Sequence, residues 1–284
     1  MTTTTLTSSP NPSTVGQAVT FTAVVTSSAG APPDGETVSF MNGKTVLGTG
    51  SLSGGAASFT TSALKVGTTA VTVAYGGDFY FLGSESNTVK QVVEKYPTAT
   101  TLSSSLNPSN YGQGVILTAT VTSAGPTPTG TVTFKNGSVI LGSRTLNAGG
   151  VATLTITKIP VGANTLTATY NGDAFNGKSV SAAITQTVSQ ASVSMVLTST
   201  PNPSTFGQSV KFTATLTSNG GVPTGQPVTF SYNGATLGTA NVNGKGVATF
   251  STTTLPRGSD AVTATYAGSM DYSSTSASVT QVVN

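Results

Sequence analysis

The sequence predicts an all-β chain of three tandem seven-stranded β-sandwiches in an elongated array. Three observations carry that reading. A skeleton of turn and strand residues occurs three times at an interval of 95 or 96 residues; within each copy apolar residues alternate with period two; and the composition is that of a β protein. Thr, Ser, Gly and Val dominate, whereas charged residues make up only 7%. A period this long exceeds that of solenoid or propeller units, so each copy is large enough to own a core. The predicted domains are residues 1–94, 95–189 and 190–284.

Each copy opens on a first strand, with Leu6, Leu102 or Leu197 facing inward, and then turns at Asn11-Pro12-Ser13, Asn107-Pro108-Ser109 or Asn202-Pro203-Ser204. Gly16-Gln17, Gly112-Gln113 and Gly207-Gln208 close that turn. A second strand follows, in which Val19, Phe21, Ala23 and Val25 match Val115, Leu117, Ala119 and Val121, then Val210, Phe212, Ala214 and Leu216. Thr and Lys separate them, which gives one buried and one wet face. The third strand carries Val38 and Phe40, Val132 and Phe134, or Val228 and Phe230. It runs into Asn42-Gly43, Asn136-Gly137 or Asn233-Gly234, a dipeptide that accepts the positive φ of a tight hairpin. Leu47, Leu141 and Leu237 then start the next strand inward.

Further on, Ala57 and Phe59 correspond to Ala152 and Leu154 and to Ala248 and Phe250. After Gly67, Gly162 or Gly258 comes Val71-x-Val73-x-Tyr75, matched by Leu166, Ala168 and Tyr170 and by Val262, Ala264 and Tyr266. The Tyr-x-Gly turns end at Asp78, Asp173 and Ser269, and a last strand holds Val89, Ile184 or Val279. Seven short strands with turns every 8 to 12 residues close most economically as a sandwich. About fifteen apolar side chains per copy, each worth about 1.5–3 kcal/mol when buried, suffice for a marginally stable core.

The order Pro-Asn-Pro-Ser-Thr-x-Gly-Gln-x-Val, Pro-x-Gly-x-Val-x-Phe and Thr-Ala-x-Tyr-x-Gly resembles the bacterial immunoglobulin-like domain repeat of the group 3 type, in three copies over essentially the whole chain. The resemblance implies an extracellular spacer or adhesion role on a large secreted or surface-attached bacterial protein, with no common catalytic residues. The third copy departs from it at Ser269, and the loop that follows is one residue shorter. Cys and Trp, the usual core pair of antibody domains, are both absent.

The residue inventory removes most chemistry. Without His there is no imidazole base or His-based metal site, and without Cys no thiolate or disulfide. The eight carboxylates are Asp34, Glu36, Asp78, Glu85, Glu94, Asp173, Asp260 and Asp271. The second copy holds one of them, so no carboxylate pair can repeat. The chain is expected to be no enzyme and to carry no cofactor. Calcium needs six to eight oxygens, and the lone Asp78 and Asp173 are expected to bond turn backbone instead; Asp34 and Glu36 form the one local acidic pair. No Lys lies in a first strand, which argues against a Lys-to-Asn cross-link, and Asn136-Gly137-Ser138 reads as a turn rather than a glycan acceptor.

A net charge of +3 spread over scattered basic residues excludes a nucleic-acid stripe, and no apolar run is long enough to enter a membrane. Met1 reads as the start of an excised fragment. The partners expected are the other domains of a larger parent protein and a host or matrix surface ligand, the chain itself being monomeric. One local feature stands out: Phe79-Tyr80-Phe81-Leu82, where the other copies have Ala174-Phe175-Asn176-Gly177 and Met270-Asp271-Tyr272-Ser273. One aromatic per loop, Tyr80, Phe175 or Tyr272, is expected to cap its own core. That leaves Phe79, Phe81 and Leu82 as a candidate partner contact. The function expected is a non-catalytic spacer or stalk that supports adhesion. The alternative is a carbohydrate- or protein-binding adhesin module using these end loops.

Overall fold

Period-two alternation obliges every strand to bury one face, and the computed structural model, which describes residues 1–284, meets that demand with three two-sheet sandwiches and no helix. In the first, the strands are β1 (Thr2–Ser9), β2 (Ser13–Thr14), β3 (Val19–Ser27), β4 (Thr37–Asn42), β5 (Thr45–Ser51), β6 (Ala56–Thr61), β7 (Gly67–Gly77), β8 (Leu82–Glu85) and β9 (Val89–Glu94). One sheet has the order β1-β3-β6, the other β2-β9-β7-β4-β5 with β8 beside β7. Every pairing is antiparallel except β2 with β9, where Ser13 and Thr14 run parallel to Val93 and Glu94. Seven principal strands thus match the expectation, and the two short ones, β2 and β8, are additions.

The second sandwich repeats this order. In the third, a single strand Thr275–Val283 replaces the pair β8 and β9. The shorter stretch after its Tyr-x-Gly turn removes the break that Asn87 occupies in the first sandwich, where that side chain pairs with the backbone of Leu6.

The inward positions read from the alternation form the three cores. Phe21, Phe40 and Val73, Leu117, Phe134 and Ala168, and Phe212, Phe230 and Ala264 are all fully buried. Aromatic rings give the first and third cores a stack across the sheets, with Phe40 against both Phe21 and Phe59 and Phe230 against Phe212 and Phe250. Leu52, Leu146 and Val242, just past the fourth principal strand, complete the three cores.

Three local departures have physical causes. The hairpins after the third strand all have two-residue loops, but the Asn-Gly dipeptide occupies the loop only in the third sandwich, where Asn233 and Gly234 both take positive φ. In the others the loop is Gly43-Lys44 or Gly137-Ser138, with glycine alone at positive φ. That is the glycine-first pattern of the II′ turn, and Asn42 and Asn136 belong to the strand. Past each loop the register slips by one residue, and the bulge carries Leu47, Leu141 or Leu237 onto the core.

In the first strand Thr2 and Thr4 are buried as deeply as Leu6. Thr4 and Ser84 share a hydrogen bond of 2.7 Å, as do Thr100 and Ser179, so paired hydroxyls replace apolar packing. The third sandwich fills the same region with Val193 and Met195. Finally, the aromatic that turns inward in the Phe79–Leu82 loop is Phe81, which packs on the core, while Tyr80 is exposed. Phe175 is likewise half exposed; of the three aromatics expected to cap a core, only Tyr272 does so.

Candidate functional site

The recurring polar residues converge at the end of each sandwich where its last strand leaves, and they do one job. Proline has no N–H to give, so the first strand cannot continue its ladder past Asn-Pro and crosses to the opposite sheet. The Asn side chain supplies the missing pairing. Asn11 accepts from Val92 N–H at 3.0 Å and donates to Lys90 O at 2.9 Å. Asn107 does the same with Thr187 and Thr185, and Asn202 with Val282 and Thr280.

Beneath that crossing lies a glutamine on the inward face of the last strand that the sequence reading did not single out, Gln91, Gln186 or Gln281, each fully buried. Gln91 Nε2 donates to Pro10 O at 3.0 Å, Ser13 Oγ at 3.2 Å and Val92 O at 3.0 Å. Gln186 repeats this with Leu106, Ser109 and Thr187, and Gln281 with Pro201, Ser204 and Val282. The three glutamines stand 95 residues apart, which is the signal that could have found them. Gln17, Gln113 and Gln208 close the same turn by accepting from Thr14, Asn110 and Thr205 N–H. Each copy therefore fastens its first strand to its last through one polar staple.

The opposite pole is built by the Tyr-x-Gly turns. Asp78 Oδ1 accepts from Tyr80 N–H at 2.7 Å and Phe81 N–H at 2.5 Å. Asp173 Oδ1 takes Phe175 and Asn176 N–H in the same way, while its Oδ2 accepts from Thr129 N–H and Asn176 Nδ2. Burial acts to raise both carboxyls, but these donated hydrogen bonds outweigh it and hold both below the ordinary aspartate range. Ser269 performs a weaker version, accepting from Asp271 N–H at 3.2 Å. Asp34 accepts from Gly54 N–H, and Glu36 accepts from the Tyr75 hydroxyl, so the acidic pair is spent on its own loops. No group of three acidic side chains comes together.

Of the three residues singled out as a contact, Phe79 is 93% exposed and Leu82 is 66% exposed, whereas Phe81 is turned inward. Tyr80 takes its place on the surface, edge to face with Phe79 at 5.2 Å.

The two poles meet where one sandwich follows another. Between the second and third, the Tyr111 ring lies edge to face with Tyr272 at 5.6 Å, and burial raises both phenols above their usual value. Backbone touches backbone there: a Cβ on Gly112 would overlap Gly220, and a Cβ on Gly220 would overlap the carbonyl of Tyr111. Between the first and second, Val15, Gly16 and Ser62–Val66 form an open groove of about 480 Å³ with Ala174 and Phe175. The first joint is loose and the second close-packed.

Two facing sheets with a first strand that crosses between them define the immunoglobulin-like sandwich, here three in tandem. The chain belongs to the bacterial Ig-like domain (group 3) family, whose pattern matches residues 6–94, 102–189 and 197–284. No curated protein matches it. Among solved structures, a tetra-tandem repeat from the extending region of a large adhesion protein is 17% identical, with 100% of this chain and 74% of that one aligned at a TM-score of 0.50. The Escherichia coli adhesin FdeC is 16% identical, over 99% of this chain and 96% of that one, at a TM-score of 0.39. Fibronectin(III)-like modules of Clostridium thermocellum CbhA are 24% identical, over 65% of this chain and 94% of that one, at 0.30. These likenesses are likenesses of fold.

Proposed function

We propose that the chain is a non-catalytic spacer, a stalk segment of a larger bacterial secreted or cell-surface protein that holds an adhesive part away from its anchor. The observation that carries this reading is what recurs. The residues common to all three copies are core positions and the Asn-Pro-Ser and Gln staple, while the exposed loops differ from copy to copy. A ligand-binding array would repeat its loops; a spacer repeats its fastening.

The staple also suits a chain under tension. The first strand enters each sandwich at one pole and the last leaves at the other, so a pull on the two termini slides β2 along β9 rather than peeling it. Parallel bonds then resist together with the buried glutamine. Short links between successive sandwiches and the close contact at Tyr111 and Tyr272 limit bending at the second joint.

Small-angle scattering tests the reading. Domains of about 40 Å, from strands of roughly nine residues at ~3.3 Å each plus loops, make a rod near 120 Å with a radius of gyration of about 35 Å. A compact globule of this length would give roughly 19 Å. A value near the compact one overturns the spacer.

A further inference from the structure

We propose that the exposed Phe79–Leu82 loop is one half of an inter-sandwich joint. Its occupant is the C-terminal pole of another sandwich of this kind, with an aromatic at the position held by Val15, Tyr111 and Phe206. The proposal rests on the spacer reading and adds how segments of the array join.

Both internal joints set the same leading position against the same loop of the following sandwich. On the leading side stands the residue three places past the Asn-Pro proline: its N–H bonds the end of the last strand, through Val15 to Glu94 O, Tyr111 to Ser189 O and Phe206 to Asn284 O, which sets its side chain at the exit pole. On the following side stands the loop capped by Asp or Ser. Val15 and Phe175 line opposite sides of the open groove at the first joint, and Tyr111 packs on Tyr272, one place further along the loop, at the second.

The two halves recur at the outer poles. At the entry pole of the first sandwich, Tyr80 is the structural counterpart of Phe175, and its ring lies edge to face with that of Phe79 above a loop whose backbone the Asp78 cap holds. At the exit pole of the third, Phe206 is 59% exposed, with the Arg257 guanidinium 5.3 Å from its ring. An aromatic of this loop packed on an aromatic at the leading position is the chemistry of the close second joint. The sugar- or protein-binding alternative has no such counterpart, since the second and third sandwiches place glycine or serine at the Leu82 position and alanine or methionine at that of Phe79.

The test exploits the absence of tryptophan from the chain. Two full copies are joined through Gln-Ala, the dipeptide of Gln190-Ala191, so that the spacing from last strand to first equals that of the second joint. Tyr80→Trp in the following copy places a single reporter at the loop, an exposed position where the larger ring fits without disturbing the core. The expected result is an emission shifted to the blue and several-fold less quenched by iodide than in the unfused Tyr80→Trp chain, with Phe206→Ser in the leading copy reversing both. Identical emission and quenching in fused and unfused chains overturns the proposal. A shift that survives Phe206→Ser overturns it as well, because the joining dipeptide alone then explains the cover. So does a shift that grows with concentration in the unfused chain and survives Phe206→Ser, because the cover is then a different surface of a separate molecule. In each of these outcomes a rod-like scattering profile still stands for the spacer reading, so the two ideas fail separately.

Discussion

Replacing Gln186 with Leu asks whether the buried glutamine is the fastening of its sandwich. The native side chain is fully buried. It donates to Leu106 O at 2.9 Å and to Ser109 Oγ at 3.1 Å, and it accepts from Ser104 Oγ at 2.6 Å. Leucine fills much the same volume but leaves these groups without their partner. Ser104 Oγ lies 3.3 Å from Leu106 O and can satisfy part of the loss, so one to two polar groups are orphaned. At about 1–3 kcal/mol for each orphaned group, the total is about 3 kcal/mol. A domain of this size has a stability of roughly 5–14 kcal/mol, so the loss is large. It corresponds to a melting temperature lower by roughly 12–24 °C for that sandwich. Scanning calorimetry of the full chain should show one of its transitions moving down while the others stay. A shift below about 4 °C, equivalent to under 1 kcal/mol, refutes the staple.

The three copies also rank themselves. In the first and third sandwiches the glutamine Oε1 and the nearby Ser8 or Ser199 hydroxyl have no hydrogen-bond partner, although Ser104 and Gln186 bond at the same positions. Leucine at position 91 or 281 therefore removes an unsatisfied oxygen along with the useful bonds. Gln91→Leu and Gln281→Leu should each cost less than Gln186→Leu, and the reverse order would refute the accounting.

Gly48→Ala and Gly238→Ala drive a Cβ into the rings of Phe59 and Phe250 and should each cost about 1–3 kcal/mol in urea denaturation. Gly142→Ala meets only the flexible Leu154 tip at 3.3 Å and should stay within about 0.5 kcal/mol. Gly220→Ala collides with the Tyr111 carbonyl across the second joint, so scattering should report a changed inter-domain angle while the melting transitions stay in place. Asp173 has its pKa depressed in the folded state, so its contribution is present above the unfolded value near 4 and is lost as pH falls below it. The second sandwich should therefore lose stability from about pH 4 downward, Asp173→Asn should remove that acid dependence, and the third, with Ser269 in its place, should show none from this position. Segments 1–94, 95–189 and 190–284 should each give a cooperative thermal transition alone; a segment that stays unfolded would move its proposed boundary.

Alternation in the sequence shows a strand's apolar face because burial acts on each residue separately. Val19, Phe21, Ala23 and Val25 are legible for that reason. It puts Gln91 in phase with Val89 and Val93 but cannot show what a buried amide would bond, since its acceptors, Pro10 and Ser13, are brought from 78 or more residues away. Thr2 and Thr4 were hidden in the same way by their partner Ser84. The Phe79–Leu82 loop failed for a different reason. Which aromatic turns inward is decided by backbone geometry: the Asp78 carboxylate draws in the N–H groups two and three residues ahead, and that curl points Phe81 rather than Tyr80 at the core. The hairpins slipped by one residue because glycine suffices for the positive φ, whether or not Asn joins it.

Recurrence supplies what alternation cannot. A polar residue found at one strand position in one copy carries no information about burial. The same residue at the same phase in three copies of different loop sequence is held there by something the copies share, and they share a fold. Gln91, Gln186 and Gln281 satisfy that condition, as do Asn11, Asn107 and Asn202, and all six lie at the crossing of the first strand. The exposed aromatics fail it, being Phe79 in one copy, Ala174 and Met270 in the others. The shared residues therefore explain how each sandwich holds together, and among the variable ones Val15, Tyr111, Phe175 and Tyr272 line the two joints.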